Sequence, residues 1–565
     1  MRTGMLLAAT TGGGVRLGVN GLDYAILGVY FAVVIGIGVM ARRSIATSED
    51  FFLSGRALPA WVTGLAFISA NLGAIEILGM AANGAQYGFS TVHFYWIGAV
   101  PAMVFLGLFM MPFYYSSRVH SVPEYMRRRF NAPSHFVNAV SFAVAQLLTA
   151  GVNLFALSIV IEGMLGWSRP IAITVSALFV LTYITLGGLS GAVYNEVLQF
   201  FVILAGLTPI VVIGLHKVGG WGGLQEKVAQ PEFFSSWTGT GAGSWTNPLG
   251  DWIGIVFGLG FALSFGYWTT NFAEVQRALS AKDLSAARRT PLIGAIPKIF
   301  IPFLTIVPGL IALAIVPAFK GANPDYNQAI PSLMRDLLPN GVLGVAVTGL
   351  LAAFMAGMAA NVSGFNTVFT YDIWRPYVVK DREDTYYLRV GRISTVVGIG
   401  IGVGTAFIAS QFNNIMNYIQ SLFSYFNAPL FAVFILALLW KRASPWAGFA
   451  GQLAGIAGAV VFQQVGPNLA YFHAGQDLAQ PENAQMINFY GAITAVVAAW
   501  VVMVLVTLVT PAKPVEKLKG LVYGVPDPDS PDAAEASVVR RWWESPALLG
   551  WGAIALTAVL SVIYL

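Results

Sequence analysis

Long apolar runs separated by short polar or Gly/Pro-rich breaks recur from Gly21 to the end of the chain. Fourteen of them are candidate spans, at approximately 22–41, 60–82, 91–115, 135–165, 169–189, 192–216, 250–275, 291–319, 340–370, 389–411, 413–440, 445–465, 487–510 and 547–565. A spanning helix needs roughly 20 apolar residues. Two runs are poor as continuous helices. The stretch WVTGLAFISANLGAIEILGMAANGAQYGF, Trp61 to Phe89, carries Ser69, Asn71 and Gly73 at its middle, with Glu76 within a turn. The seventh run, GLGFALSFGYWTTNFAEVQRAL, carries Gly260, Ser264, Gly266, Thr269, Thr270 and Asn271. Glycine favours local unwinding, and irregular backbone at membrane depth persists only where protein or water satisfies its polar groups. The pattern predicts two discontinuous helices lining a solute site. The plainer reading is an ordinary kinked helix whose Asn and Glu bond to neighbouring helices.

Charge assigns a side to each loop. If the loop after the first span is cytoplasmic, 23 of the 31 Lys and Arg residues fall on the cytoplasmic side. Seven fall outside: Arg2, Arg16, Arg169, Lys217, Lys227, Lys320 and Arg335; Lys298 stays within the membrane. Such a split is a strong positive-inside signal and predicts a multi-pass plasma-membrane protein with both termini outside. The composition agrees, with 56% hydrophobic and 10% charged residues against about 25% charged in soluble domains. The expected organisation is a tail over 1–21, a first span and loop over 22–59, one repeat over 60–216 and an outer loop over 217–249. A second repeat follows over 250–440, then three peripheral spans over 441–565 with a polar linker at 511–546. The second and seventh spans are five apart, so the two repeats would have opposite orientation. Corresponding broken spans in inverted halves point to a transporter site.

Several chemistries are set aside. With no cysteine there is no disulfide, thiolate metal site or thiol nucleophile. The five histidines have no metal-ligand spacing, and no basic patch with interleaved aromatics suggests nucleic acid. No nucleophile–base pair stands out, no loop is large enough for a soluble catalytic domain, and neither an organic cofactor nor an obligate protein partner is implied. Lys298, in GAIPKIFIPFL, either snorkels to the surface or points into the central cavity to meet a carboxylate or solute oxygens. Glu76 is a candidate to bind a proton, pair with Lys298 or hold a hydroxylated solute, or else is a structural carboxylate. Tyr267 and Trp268, like Phe94 and Tyr95, would stack on a solute or gate the cavity, unless they are packing or interface anchors. Gln420 either faces the site or bonds a neighbouring helix. Glu196 lies on an ion path or pairs with a basic loop. Asp372 and Arg375 read as a surface charge pair.

Eight stretches together resemble the sodium:solute symporter family, which includes sodium/glucose and bacterial sodium/galactose cotransporters. They are SEDFFLSGRALPAW (48–61), ISANLGAIEILGM (68–80), SVPEYMRRRF (121–130), GGLSGAVYNEVLQFF (187–201), YWTTNFAEVQRAL (267–279), AIPKIFIPF (295–303), NTVFTYDIW (366–374) and YIQ (418–420). The resemblance implies an all-α polytopic membrane protein of about 14 helices around a LeuT-type core of five plus five inverted helices. It implies sugar contacts at Asn71, Tyr267, Trp268, Lys298 and Gln420, with the tyrosine closing the site from inside, and places Glu196 where the family has an Asp near the ion's inner exit. Two sugar contacts are changed, to Ile75-Glu76 and to Phe94-Tyr95. The family's sodium takes carbonyls near Ser69 and Leu72, a carbonyl of the ninth span at Ala353, and two hydroxyls that are here replaced by Ala356 and Gly357. A hard cation needs oxygen ligands, which alanine and glycine side chains do not supply. Water or Ser363 would have to substitute.

The expected function is a secondary active solute:cation symporter importing a small polar solute by alternating access. A sugar is the first expectation and an organic acid such as a monocarboxylate the second. Sodium is the family's coupling ion; with its site altered, a proton carried by Glu76 or Glu196 is the alternative. A channel or a non-transporting membrane sensor are readings of another class, which saturable uptake and counterflow would separate from a carrier.

Overall fold

The computed structural model describes residues 15–42, 54–116, 121–241, 246–321, 323–525 and 544–565, with the side chains at 41, 42, 55, 116 and 183–191 excepted. The first basic loop and most of the expected linker at 511–546 therefore lie outside the described residues. The chain is almost entirely helical. In order it runs α1 (Gly21–Arg42), α2 (Ala60–Asn71), α3 (Ile75–Tyr87), α4 (Phe89–Tyr115), α5 (Val122–Arg129), α6 (Ala132–Leu165), α7 (Arg169–Thr182), α8 (Ala192–Val218), α9 (Gly254–Thr270) and α10 (Phe272–Leu279). It continues with α11 (Leu284–Ile315), α12 (Ala329–Leu337), α13 (Val342–Tyr377), α14 (Asp384–Ala409), α15 (Ile415–Leu439), α16 (Pro445–Asn468), α17 (Ala484–Val509) and α18 (Pro546–Ile563).

Among the described residues, eleven helices are long and apolar enough to cross a membrane, and α2 with α3 makes one more span bent by 58°. α7 and α9 are shorter apolar segments. Together these match the fourteen expected runs in order, and the protein is an integral, multi-pass membrane protein.

Helix bounds depart from the sequence reading for local reasons. α11 starts at Leu284, two turns before the expected 291, because the Asp283 side chain accepts from Ala286 N at 2.6 Å and caps it. Pro291, Pro297, Pro302 and Pro308 lie inside this helix without ending it; neighbouring elements satisfy freed backbone groups in membrane helices. α7 and α8 are assigned as one helical trace, Arg169–Val218. On a straight helix Phe179 and Gln199 would stand about 30 Å apart. Yet the Phe179 ring lies 4.4 Å from that of Phe31, and Gln199 Nε2 donates to the adjacent Tyr30 hydroxyl at 3.2 Å. The chain therefore doubles back between them, and α7 and α8 are two limbs. The connections expected on the outer side, 217–249 and 320–339, hold short helices at Gly220–Val228 and at α12.

Contacts sort the connecting segments onto two faces. On one, Leu17 N donates to Gly163 O, Asn340 donates to Gly18 O, and Ser236 donates to Tyr564 O. On the other, Leu58 pairs with Ala281, and Arg129 donates to Ala437 O, Trp440 O and Ala443 O at 2.7–3.1 Å. This is the alternation that fourteen crossings produce. Two residues counted as loop charges prove to be buried: Arg129 and Arg277 are both 0% exposed.

Candidate functional site

Both predicted breaks are present, and each has a physical cause. The first half-helix, α2, ends at Asn71; Leu72 adopts φ −73°, ψ 43°, and the second half resumes at Ile75 with a π-helical turn. Gly73 makes room here: a Cβ on it would lie 2.9 Å from Asn153 Oδ1 and 3.2 Å from Gly357 Cα. Asn153 Oδ1, from α6, accepts from Ala74 N at 3.0 Å and so caps the resumed half. In the seventh span the break falls at Asn271, with φ −72° and ψ 108°. The Asn271 side chain accepts from Ala273 N and from Gln146 Nε2, both at 3.0 Å. Gln146 lies on α6 as well.

Asn71, at the first break, and Tyr267 and Trp268, a turn before the second, border a cavity of about 60 Å³. Seven of the eight expected substrate residues line it: Asn71, Glu76, Phe94, Tyr267, Trp268, Lys298 and Gln420. Tyr95 does not. Its hydroxyl bonds Thr305 Oγ1 at 2.8 Å, and its ring stands 5.0 Å from Lys298 Nζ, behind the lysine and Glu76. Its place in the helix aims it away because Phe94, one residue earlier, takes the cavity face.

Lys298 does not snorkel. It is 1% exposed, pairs with Glu76 Oε1 at 2.8 Å and donates to Asn71 Oδ1, with Trp268 5.0 Å on another side. Burying an ammonium requires such a partner, and Glu76 supplies it. Asn71 Nδ2 in turn donates to the Tyr267 hydroxyl at 3.0 Å. That hydroxyl donates to Glu274 Oε1 at 2.7 Å. Glu274 sits on α10, immediately past the second break, and is 2% exposed. Gln420 Oε1 has no hydrogen-bond partner and borders the cavity.

Glu196 lies away from the cavity, in a buried pair with Arg277: Nη2 meets Oε1 at 2.5 Å and Nε meets Oε2 at 3.2 Å. Of the two readings it had, the structure shows the charge pair, made inside the protein rather than to a loop. Asp372 corrects its expectation. It is 2% exposed and bonds His135 Nε2 at 2.8 Å, while Arg375 instead lies over the Tyr371 and Tyr387 rings. α13 continues to Tyr377, past the end expected for the ninth span, and carries Asp372 inward against α6.

At the place the family resemblance assigns to sodium, Ser69, Leu72, Ala353, Ala356 and Gly357 are all buried. Ser69 O accepts from Leu72 N at 3.0 Å. No side-chain hydroxyl is offered by positions 356 and 357, and Ser363 Oγ donates instead to Gln276 Oε1 at 3.1 Å. A Cβ on Gly357 would lie 2.6 Å from Asn153 Oδ1 and 3.1 Å from Gly73 Cα. α13 thus rests directly on the broken span, with the Asn153 amide beside it. Positions 356 and 357 therefore lack the two side-chain oxygens the resemblance implies, while Ser69 Oγ is buried there without a hydrogen-bond partner.

Sequence reading missed Asn153, Gln146 and Glu274. All three are polar groups in otherwise apolar runs, and Glu274 stands inside a quoted motif three residues before Arg277.

A family model described as the sodium:solute symporter family matches residues 51–455. A sodium/glucose cotransporter of Vibrio parahaemolyticus is 29% identical over 464 residues, covering 78% of this chain and 84% of that one. Sodium/glucose cotransporter 1 of Ovis aries is 29% identical over 471 residues, covering 77% and 70%. Among solved structures, a Na+-coupled sialic acid symporter in a substrate-bound outward-open state is similar with a TM-score of 0.71 at 18% identity, over 87% of this chain and 99% of that one. A nucleobase-cation-symport-1 family transporter in a closed conformation gives 0.50 at 13% identity, over 83% and 97%. The fold is LeuT-type, as the sequence resemblance implied.

Proposed function

The chain belongs to the sodium:solute symporter family, is a transporter and not an enzyme, and from that premise we propose that it imports an uncharged, hydroxylated solute, a sugar, by symport with a proton. The observation that carries the solute class is the Glu76–Lys298 pair at 2.8 Å. Among the described residues Lys298 is the one ammonium at the cavity, and it already has its counter-ion, so a solute carboxylate would add a second negative charge beside Glu76. An uncharged solute adds none. Gln420 Oε1 offers it an acceptor without a partner, and Tyr267, Trp268, Phe94 and Phe423 give apolar faces. Aromatic walls with a few placed polar groups are the usual composition of a small-molecule site.

The relatives are named for sodium coupling. Against it here stand the missing hydroxyls at Ala356 and Gly357, which support coupling to a proton. Alternating access would open the cavity to each side in turn, with Tyr267 over its inner end.

Uptake of radiolabelled galactose, glucose, lactate and pyruvate into proteoliposomes holding the purified chain tests both parts. We expect accumulation of a sugar under a pH gradient, with saturation and counterflow. Accumulation of lactate or pyruvate alone would overturn the sugar; a sodium-driven response indifferent to pH would overturn the proton. Flux without saturation or counterflow would mark a channel.

A further inference from the structure

Resting on the proton-symport reading, we propose that Glu274 is the group that binds the transported proton, and that the Asn71–Tyr267 hydrogen bonds link that event to the solute cavity.

Five charged side chains are buried around the two breaks: Glu76, Glu196, Glu274, Arg277 and Lys298. Two carboxylates have their own cation, Glu76 with Lys298 and Glu196 with Arg277. Glu274 has none. Its Oε1 accepts from Tyr267, and its Oε2 is buried with no hydrogen-bond partner. Arg277, one turn further along, gives Nε and Nη2 to Glu196 and Nη1 to Ala273 O at 2.7 Å. Lys298 is held by Glu76 and Asn71.

Among the described residues, the elements around α10 bring no other counter-ion. α2 has no titratable side chain, nor does α13 between Val342 and Val368. α11 contributes Lys298 here; its Arg288 and Arg289 turn to Gly107 O and to Ser285 O. α4 contributes Tyr114 and Tyr115, whose hydroxyls donate to Thr269 O and Ala281 O at 3.0 Å. α8 contributes Glu196, a further negative charge. An ionised carboxylate buried without a cation is costly, and a proton on it removes the cost. That proton comes from water on one side, forms an O–H bond at Oε2, and returns to water on the other side; no other bond is made or broken.

The coupling follows from the direction of the hydrogen bonds. Lys298 donates to Asn71, Asn71 to Tyr267 and Tyr267 to Glu274. Asn71 and Tyr267 both border the cavity. A solute that bonds to either one changes what reaches Glu274 Oε1, and a proton on Glu274 changes what Tyr267 presents to the solute. By linkage each event favours the other to the same degree.

The test uses the full chain in sodium-free proteoliposomes with radiolabelled galactose and glucose. Under an inside-alkaline pH gradient the unaltered protein concentrates the sugar. With Glu274→Gln we expect the accumulation ratio to fall to about one while sugar–sugar exchange is still measurable, and Glu274→Asp to restore accumulation with a displaced pH profile. Accumulation by Glu274→Gln equal to that of the unaltered protein would overturn the assignment. So would a Glu274→Asp profile that does not move, which is the readout if the Gln variant does not fold. If the unaltered protein concentrates sugar under a sodium gradient and not a pH gradient, it is the symport reading that fails, and the proposal with it. Infrared spectra against pH distinguish the two failures without any solute: a titrating carboxylic-acid band lost in Glu274→Gln is expected, and its presence in both proteins would overturn the site.

Discussion

Asn153 acts on two neighbours at once. Its Oδ1 accepts from Ala74 N, and the same atom lies where a side chain at Gly73 or Gly357 would go. Replacing it with alanine leaves the Ala74 N–H buried without an acceptor, at a cost of about 1–3 kcal/mol. Gly357→Ala meets Asn153 Oδ1 at 2.6 Å and is destabilising for the opposite reason, overcrowding. Because both substitutions act on one atom, their effects are not additive. We expect the Asn153→Ala, Gly357→Ala protein to be less destabilised than the sum of the two by about 1 kcal/mol, read from thermal unfolding in detergent. Strict additivity would show that the amide is not what fills the space. This residue was not legible in the sequence because an Asn in an apolar run has many possible partners, and its register against Gly73 and Gly357 is set by packing. Glu76 and Lys298 were legible singly, since a charge at membrane depth demands a partner. Glu274 lies inside the expected span at 250–275, at its very end, where Arg277 three residues on reads as a loop charge; the sequence does not show that both side chains are buried.

The two broken spans depend on α6 more than on each other. Asn153 caps the first break, and Gln146 holds the Asn271 that caps the second. The two amides are seven residues apart, close to two turns, and so lie on one face. α10 has a further anchor in the Arg277–Glu196 pair, which ties it to α8. Removing one partner of a buried pair leaves the other charge exposed to low dielectric, at a cost of about 3–5 kcal/mol. Arg277→Leu is therefore expected to lower folded yield sharply, and Arg277→Leu with Glu196→Leu to recover much of it, as measured by monodisperse protein after extraction. An equal loss in the double variant would mean that the pair's charge is not the issue. The existence of the breaks was legible from Gly73, Asn71 and Asn271, since glycine and asparagine both favour leaving the helix. Which helix would hold them was not, because α6 reads as an uninterrupted apolar run.

At the scale of the molecule, the sorting of segments onto two faces converts a charge count into a topological claim. Residues 17–18 bond the loop near Asn340, the loop near Ser236 bonds the end of α18, and Lys217 Nζ donating to Asp336 O joins the two groups on one face. The segments near Leu58, Ala281, Arg129 and Trp440 share the other. That division matches the positive-inside assignment, which reads the second face as cytoplasmic. The absence of cysteine makes the chain its own background for testing it. Single substitutions Gly475→Cys, on the connection between α16 and α17, and Asp381→Cys, between α13 and α14, lie on opposite faces in this scheme. In intact cells a membrane-impermeant maleimide is expected to label Gly475→Cys and to reach Asp381→Cys only after the membrane is opened. Labelling in the reverse order would keep the fold and invert its orientation. Solute and proton would then enter from the side assigned here to the cytoplasm, and Tyr267 would close the outer end of the cavity instead of the inner.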